Sequence, residues 1–201
     1  RQERPIIVGG TGLYFFALTK GLIDIPAIPQ QIQNLSKARW KAEGLQALVD
    51  ELDDETSDRI DIKNPIRVLR AWQVAQYTGK SISAWQKETP PPLLDQQTCA
   101  AIVFSSPTEW LNRRISRRFE QMIALGALEE AQENLHLLPQ NAPSLKAIGA
   151  AELMAHIKGE ISMSAASEKV NIATRQYAKR QRSWFRNYMK NWNKFDPSCR
   201  S

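Results

Sequence analysis

The stretch Pro5-Ile6-Ile7-Val8-Gly9-Gly10-Thr11-Gly12-Leu13-Tyr14 decides what kind of fold this 201-residue chain can have. Its apolar run over residues 5–8 is typical of a short parallel strand that is covered on both faces. The glycines predict a turn, and the apolar residues after them predict a helix that Gly21 ends. A strand, a turn and a helix in this order form half of a βαβ unit. The sequence therefore predicts an α/β fold.

A second apolar stretch at residues 98–104 resembles residues 5–8, so we expect the two strands to share a parallel sheet. The residues between them are polar and helical in pattern, without a convincing strand. The sequence thus predicts one part of the α/β core at residues 1–25, a helical insertion domain at 26–92 and the second core part at 93–201. Because a two-stranded parallel sheet is poorly covered, we expect further strands upstream of Arg1.

Start and stop signals predict the longer helices of the chain, at residues 65–77, 109–125, 146–158 and 164–187. Thr78-Gly79-Lys80-Ser81 resembles the end of a phosphate-binding P-loop. The motif requires an earlier glycine where this chain has Val74, and it requires a strand where this chain has a helix. We therefore interpret these residues as a turn at a helix end.

The composition narrows the class of protein. Hydrophobic residues make up 42% of the chain and charged residues 24%, as in ordinary globular domains. No apolar run approaches the roughly 18–20 residues of a membrane span, and the opening residues do not resemble a signal peptide. Cys99 and Cys199 are too few for a disulfide framework, and His136 and His156 do not form a metal pattern. We expect a monomeric, reduced, cytoplasmic protein.

Positive charge is concentrated at the C-terminal end. The segment 169–201 contains nine basic residues and one acid and carries +8, whereas the segment 1–168 carries −2. A basic field of this kind favours a polyanion such as RNA, DNA or a diphosphate. A solvated basic helix is the alternative.

The glycine turn, residues 9–12, is a candidate anion site because a helix start offers backbone N–H groups, to which Thr11 adds a hydroxyl. A purely structural turn is the alternative. The helix at 109–125 carries four arginines, a type of side chain that suits phosphate oxygens, although they could also form a solvated face opposite Glu120. These arginines are Arg113, Arg114, Arg117 and Arg118, with an apolar seam of Ile115, Phe119 and Met122.

The last helix carries two stripes of side chains. The basic stripe is Arg175, Lys179, Arg182 and Arg186, and the apolar stripe is Val170, Ala173, Tyr177, Trp184 and Tyr188. Arg180 falls on the apolar side, where it would need an acid or a bound anion as a partner. Trp184 and Phe185 are interpreted as core packing rather than as a base-stacking platform. Arg67 and Arg70 could bind RNA backbone, or could be solvated helix charges.

Five motifs follow one another in a fixed order. They are Pro5–Tyr14 with Gly21-Leu22 and Ile25-Pro26; Asn64–Ala71 with Gly79-Lys80; Arg114-Ile115 with Arg118 and Met122; Ala147-Ile148-Gly149 with Glu152-Leu153; and Thr174–Gln181 with Trp184-Phe185-Arg186. Together they resemble the tRNA dimethylallyltransferases, or tRNA isopentenyltransferases. The chain departs from the family at Ala150, Ile66 and Gln33, where many members have Tyr, Gln and Arg. The family's N-terminal P-loop and catalytic Asp are not among these residues.

The resemblance implies a P-loop NTPase-like parallel sheet core, partial here, with a mostly helical insertion domain that grips the anticodon loop. It implies transfer of a dimethylallyl group from dimethylallyl diphosphate to the exocyclic amine of adenosine 37 of tRNA, with Mg²⁺ as cofactor. No side chain of this chain is assigned as a metal ligand. We expect the chain beginning at Arg1 to be inactive alone. A non-catalytic RNA-binding remnant remains an alternative, as does an enzyme that prenylates free adenine nucleotides, although the latter would not need the 26–92 block.

The resemblance also implies roles for individual residues. Thr11 would be catalytic by holding the diphosphate or its Mg²⁺, and the diphosphate would also be bound by Gly9, Gly10, Arg118, Arg175 and Arg180. The residues expected to contact tRNA are Gln33, Ile66, Arg67, Val68, Leu69, Arg70, Lys146, Ala147, Ile148, Gly149, Ala150, Ala151 and Lys179.

Overall fold

The structure, a computed structural model, describes residues 5–137 and 142–200. The chain forms two compact units. The helical unit is Leu13–Cys99, and the sheet unit consists of the described residues of 1–12 and 100–201. The sequence placed the corresponding boundaries at residues 25 and 92. The chain enters and leaves the helical unit once, so the sheet unit is discontinuous in sequence.

Six helices are described between Gly12 and Lys87: α1 (Gly12–Lys20), α2 (Gln30–Glu43), α3 (Leu45–Val49), α4 (Asp54–Arg59), α5 (Pro65–Thr78) and α6 (Ile82–Lys87). Local signals fix the ends of α5. The Asn64 side chain accepts a hydrogen bond from the Ile66 N–H (3.1 Å), Pro65 begins the helix, and Gly79 ends it in the left-handed conformation. The helices predicted in this part of the chain are confirmed.

The core of the helical unit lies between α2, α3 and α5. Its buried residues are Leu48, Val49, Val68, Leu69 and Trp72. Two buried polar pairs accompany this core. The Thr56 hydroxyl donates to the Ser83 hydroxyl (2.9 Å), which joins α4 to α6, and the Gln73 amide donates to the Ser36 hydroxyl (2.7 Å). Since each group has a partner, their burial carries no penalty for an unmet hydrogen bond.

The sheet unit contains a two-stranded parallel sheet and four helices: β1 (Ile102–Phe104), α7 (Thr108–Ala124), α8 (Ala127–Leu137), α9 (Ala150–Ile157), α10 (Met163–Tyr188) and β2 (Asn193–Phe195). In the strand register, Ile102 pairs with Asn193 and Phe104 with Phe195. Each of the four helices contributes one residue to the buried core, which is formed by Phe119, Ala131, Leu153 and Val170.

The strand prediction for residues 5–8 is wrong. These residues have no regular secondary structure, and Ile6 and Val8 are 86% and 83% exposed. The predicted strand at 98–104 is shortened to β1, whose Phe104 is also exposed, and its partner is β2 rather than residues 5–8. A strand is defined by the ladder it joins. Among the described residues, that ladder is formed by β1 and β2.

The helix predicted over 146–158 is wrong in its first turn. The structure has a 3₁₀ turn over Pro143–Lys146, and α9 begins only at Ala150. Gly149 interrupts the helix because its φ is +102°, and its N–H donates to the Glu152 carboxylate (3.2 Å). The other two predicted helices agree with α7 and α10 to within one residue at each end. No described helix is both long enough and apolar enough to cross a bilayer.

Candidate functional site

The glycine turn packs against α10 within the sheet unit. The Gln181 side-chain amide donates a hydrogen bond to the Gly10 carbonyl oxygen (2.9 Å). A Cβ atom built on Gly10 would overlap this amide, and one built on Gly12 would overlap the Trp184 ring. Neither glycine has a positive φ. The turn therefore needs glycine because α10 approaches its backbone closely, not because of its backbone conformation.

Thr11 lies between these two contacts and is exposed to solvent. It directly precedes α1, and the first N–H groups of a helix have no partner within it. A helix start with an adjacent hydroxyl is suited to an anion. The sequence placed Trp184 in the core and Gln181 only within a motif, so it missed their contact with the turn. Their spacing of three residues, which places both on one helix face, was the available signal.

All four arginines of α7 are exposed, whereas Phe119 of the same helix is buried at 5% exposure. Of the predicted apolar seam, Met122 is 40% exposed and thus lies outside the core. The Arg114 guanidinium lies over the Trp110 ring, 4.8 Å from its centroid. Arg118, one helical turn further on, shares the surface of Arg114.

The basic residues of α10 have different surroundings. Arg182 donates to the Thr108 hydroxyl (2.9 Å), which fastens α10 to the start of α7. Arg175, Lys179 and Arg186 are exposed. The prediction that Arg180 lies on a buried side is wrong: it is exposed, with its guanidinium 5.7 Å from the centroid of the Tyr177 ring.

Arg180 is exposed because the apolar stripe of α10 is fully buried only towards its N-terminal end. Val170 is 4% exposed, whereas Tyr177 and Tyr188 are 43% and 51% exposed. Periodicity reports which residues share a face, but not how far along the helix a neighbour covers that face. Trp184 packs on Phe185 and Tyr188 with ring centroids at 5.5 and 4.8 Å, as the packing interpretation predicted.

The ion pairs of the described residues all lie in the helical unit. They are Arg39–Glu43, Arg39–Glu51, Arg59–Glu55, Lys80–Glu88 and Lys87–Glu55. Within the described part of the chain, the cations of α7 and α10 therefore form no ion pair with a carboxylate, Glu120 included. Such cations remain available to an anion from outside.

The expected tRNA-contacting residues fall into both units. In the helical unit, Ile66, Arg67 and Arg70 are exposed at the start of α5. Val68 and Leu69 belong to the core, so their side chains are turned away from solvent. The Gln33 amide is half-buried and donates to the Ile28 carbonyl (2.9 Å).

In the sheet unit, Lys146, Ala147, Ile148 and Ala151 are exposed, Ala150 is half-buried and Gly149 is buried. Lys179 is exposed on α10. The segment 78–81, which resembles the end of a P-loop, is confirmed as a turn at a helix end. Lys80 forms an ion pair with Glu88 and lies over the Trp85 ring, while Ser81 caps α6.

The described residues do not by themselves provide a full set of magnesium ligands. Within residues 5–137 and 142–200, no three His, Cys, Asp or Glu residues come together as metal ligands. Mg²⁺ prefers several oxygen ligands, most often carboxylates and phosphates. In the glycine turn, the side chain that offers an oxygen is Thr11. The chemistry available here is therefore that of N–H donors, a hydroxyl and guanidinium groups.

Comparisons with known proteins agree on one family. The family model described as IPP transferase matches residues 1–188. The tRNA dimethylallyltransferase of Ruegeria sp. is 50% identical over 98% of this chain, and that of Roseobacter denitrificans is 52% identical over 98%. The chain spans 67% and 69% of the lengths of these two relatives.

Solved structures of tRNA-modifying transferases also resemble this chain. The tRNA isopentenylpyrophosphate transferase of Staphylococcus epidermidis is 33% identical in sequence and has a TM-score of 0.54. The match covers 96% of this chain and 63% of the Staphylococcus chain. A eukaryotic dimethylallyltransferase caught acting on tRNA has a TM-score of 0.73 over 96% of this chain and 51% of its own. At 23% identity, the latter supports the fold alone.

Proposed function

The chain belongs to the IPP transferase family, and we propose that its polypeptide transfers a dimethylallyl group from dimethylallyl diphosphate to the exocyclic amine of adenosine 37 in tRNA. The observation that carries this proposal is the glycine turn packed on a basic helix, in a unit whose described cations have no acidic partner. Such a place suits the diphosphate leaving group. Since tRNA is a cytoplasmic substrate, the proposal includes a cytoplasmic location.

In the proposed reaction, the amine nitrogen attacks the allylic carbon that carries the diphosphate. A C–N bond forms, the C–O bond breaks, and its electron pair leaves with the diphosphate. The amine also gives up one proton, and a general base would assist this step because an aromatic amine is a weak nucleophile. The residues assigned here act on the leaving group rather than on the proton.

Negative charge grows on the leaving diphosphate as the C–O bond breaks. Fixed N–H and cationic donors at that position lower the barrier most. The proposed donors are Thr11, the N–H groups of Gly9 and Gly10, and the guanidinium of Arg118. Arg175 and Arg180 are the second candidates for this contact. Mg²⁺, when bound to the diphosphate, would neutralise part of the same charge.

The RNA would contact exposed side chains of each unit. Ile66, Arg67 and Arg70 offer an apolar and cationic surface to the anticodon loop. A second surface is offered by Lys146, Ala147, Ile148, Ala151 and Lys179. The target base must leave its stack to react, because its amine is otherwise held against its neighbours.

The first experiment tests the reaction itself. The polypeptide read from the source transcript, with whatever residues precede Arg1, is incubated with Mg²⁺, labelled dimethylallyl diphosphate and tRNA. We expect the label on adenosine 37. Labelling of free adenine nucleotides instead would make this a nucleotide prenyltransferase, and RNA binding without any transfer would make it a non-catalytic binder.

The role of Arg118 is tested by Arg118→Gln in the same polypeptide. We expect a fall in the transfer rate of at least roughly tenfold, with little change in tRNA affinity, because the lost cation would act on the leaving group. Arg113→Gln is the matched control, since it also removes an exposed arginine from α7. Normal turnover with weakened RNA binding in Arg118→Gln would contradict the assigned role.

A further inference from the structure

We propose that Gln181 and Trp184 are positioning residues that fix the orientation of the Thr11 peptide for the diphosphate. This inference rests on the proposed function, because it assumes that the glycine turn binds the diphosphate. Neither residue needs to touch the substrate. Both lie on α10 and both contact the turn, one on each side of Thr11.

Gln181 controls one peptide plane. Its amide donates to the carbonyl oxygen of Gly10, a residue far from it in sequence. That carbonyl belongs to the same planar peptide unit as the Thr11 N–H, and in a trans peptide the two groups point in opposite directions. Holding the Gly10 oxygen towards α10 therefore turns the Thr11 N–H away from Gln181. The hydrogen bond thus selects the direction in which the turn offers its donor.

Trp184 restricts the backbone of Gly12, the residue after Thr11. Its ring lies where a Cβ of Gly12 would be, so the chain passes the ring in close contact. The ring is held in turn by Tyr188, which stacks on it at 4.8 Å and 28°, and by Phe185, which meets it edge-on at 5.5 Å. A ring fixed on two sides restricts the movement of the backbone that it contacts.

Positioning and simple stabilisation predict different results. The Gln181–Gly10 bond is exposed, and an exposed bond between neutral groups adds little to the free energy of unfolding. Its loss would nevertheless let the Gly10–Thr11 peptide rotate, which weakens binding of an anion to that peptide. A positioning role therefore predicts weaker anion binding at unchanged stability.

The experiment is a double-mutant cycle in the polypeptide used for the transfer assay. Gln181→Met keeps the length of the side chain and removes the donor. Because Gly10 has no positive φ, Gly10→Ala leaves the backbone in an allowed conformation, while the new Cβ displaces the Gln181 amide. We expect each variant to weaken inorganic pyrophosphate binding roughly threefold to tenfold, and the double variant to be no weaker than the weaker single variant. Gln132→Met, an exposed glutamine of α8, is the control and should bind normally.

Further readouts separate positioning from other roles. In Gln181→Met, the KM for dimethylallyl diphosphate should rise by the same factor, while tRNA affinity and the urea midpoint of unfolding remain unchanged. Trp184→Phe, which keeps a ring against Gly12, should retain more pyrophosphate affinity than Trp184→Ala.

Three results would overturn the inference. They are unchanged pyrophosphate affinity in Gln181→Met, fully additive losses in the double variant, and losses that follow a lowered urea midpoint. Each of these would leave the proposed function intact, provided that the unsubstituted protein transfers the label. An unsubstituted protein that neither binds pyrophosphate nor transfers the label would refute the proposed function as well.

Discussion

Gly21 ends α1 in the left-handed region, with a φ of +82°. A Cβ atom at this position would overlap the carbonyl oxygen of Pro90, which belongs to the backbone and cannot turn aside. Two demands therefore meet at one residue, a backbone conformation that disfavours side chains and a close approach of another segment. The sequence predicted the first demand from the position of Gly21 after an apolar helix. It could not predict the second, since Pro90 is distant in the chain.

We predict that Gly21→Ala is more destabilising than Gly79→Ala. Gly79 lies in the left-handed region (φ +67°, ψ 9°) with open space where a Cβ would be, so its substitution measures the conformational cost alone, about 1 kcal/mol. Gly21→Ala should lose roughly 1–3 kcal/mol more because the Pro90 segment must move. Urea unfolding of both variants measures the difference. Equal losses would show that the Pro90 segment yields without cost.

At the scale of the secondary-structure elements, Glu51 connects the helices α2, α3 and α5 of the helical unit. It follows α3, accepts a hydrogen bond from the Trp72 indole of α5 (2.6 Å) and forms an ion pair with Arg39 of α2 (2.6 Å). The hydrogen bonds from Trp72 and Arg39 hold the pKa of the Glu51 carboxyl below its usual value. A carboxyl with a lowered pKa stabilises the folded state above its unfolded-state pKa, and that stabilisation is lost as the pH falls through the folded-state pKa.

We predict that Glu51→Gln makes the free energy of unfolding less dependent on pH in the acidic range. At pH 7 the free energy of unfolding of the variant should be about 1 kcal/mol lower than that of the unsubstituted protein. The loss is small because water screens the charges on the exposed side of this cluster. Between pH 5 and pH 3 its free energy of unfolding should fall less than that of the unsubstituted protein. Urea titrations at these pH values measure both effects. Parallel pH profiles would show that Glu51 keeps an ordinary pKa.

Elements defined by local signals could be predicted from the sequence, whereas elements defined by distant partners could not. α5 is determined by Asn64-Pro65 at its start and Gly79 at its end. β2 escaped prediction because Asn193-Lys194-Phe195 has no apolar pattern and becomes a strand only through its pairing with β1. In the candidate site, the residue types of the glycine turn and α7 pointed to anions. The spacing of Gln181 and Trp184 indicated that they share one face of α10, but the contact of that face with the glycine turn depends on the packing of α10 and could not be predicted.

At the scale of the whole molecule, the distribution of charge predicts how RNA binding responds to salt. The described ion pairs occur in the helical unit, while α10 carries cations without acidic partners among the described residues. Each phosphate contact releases a counterion on binding, so the slope of log affinity against log salt counts those contacts.

We predict that replacing both Lys179 and Arg186 with Gln flattens this slope by about 1.4, or roughly 0.7 for each phosphate that the variant no longer neutralises. Lys87→Gln should leave the slope unchanged, because Lys87 is already paired with Glu55 at 2.6 Å. Filter binding of an anticodon stem-loop RNA at several salt concentrations measures the slope. An unaltered slope in the double variant would show that α10 is not part of the RNA surface.

The discontinuity of the sheet unit sets an order of events during synthesis. The helical unit is contiguous, so it can bury Leu48, Val68 and Trp72 once its last residue, Cys99, has left the ribosome. The glycine turn is made earlier but must wait for Gln181, near the far end of the chain. At ordinary rates of translation this wait lasts on the order of 10–30 s. A ribosome that stalls before α10 therefore carries a finished helical unit and a glycine turn that lacks its hydrogen bond from Gln181. Under the role that we propose for the glycine turn, synthesis of α10 is the step that prepares the nascent chain to hold a diphosphate.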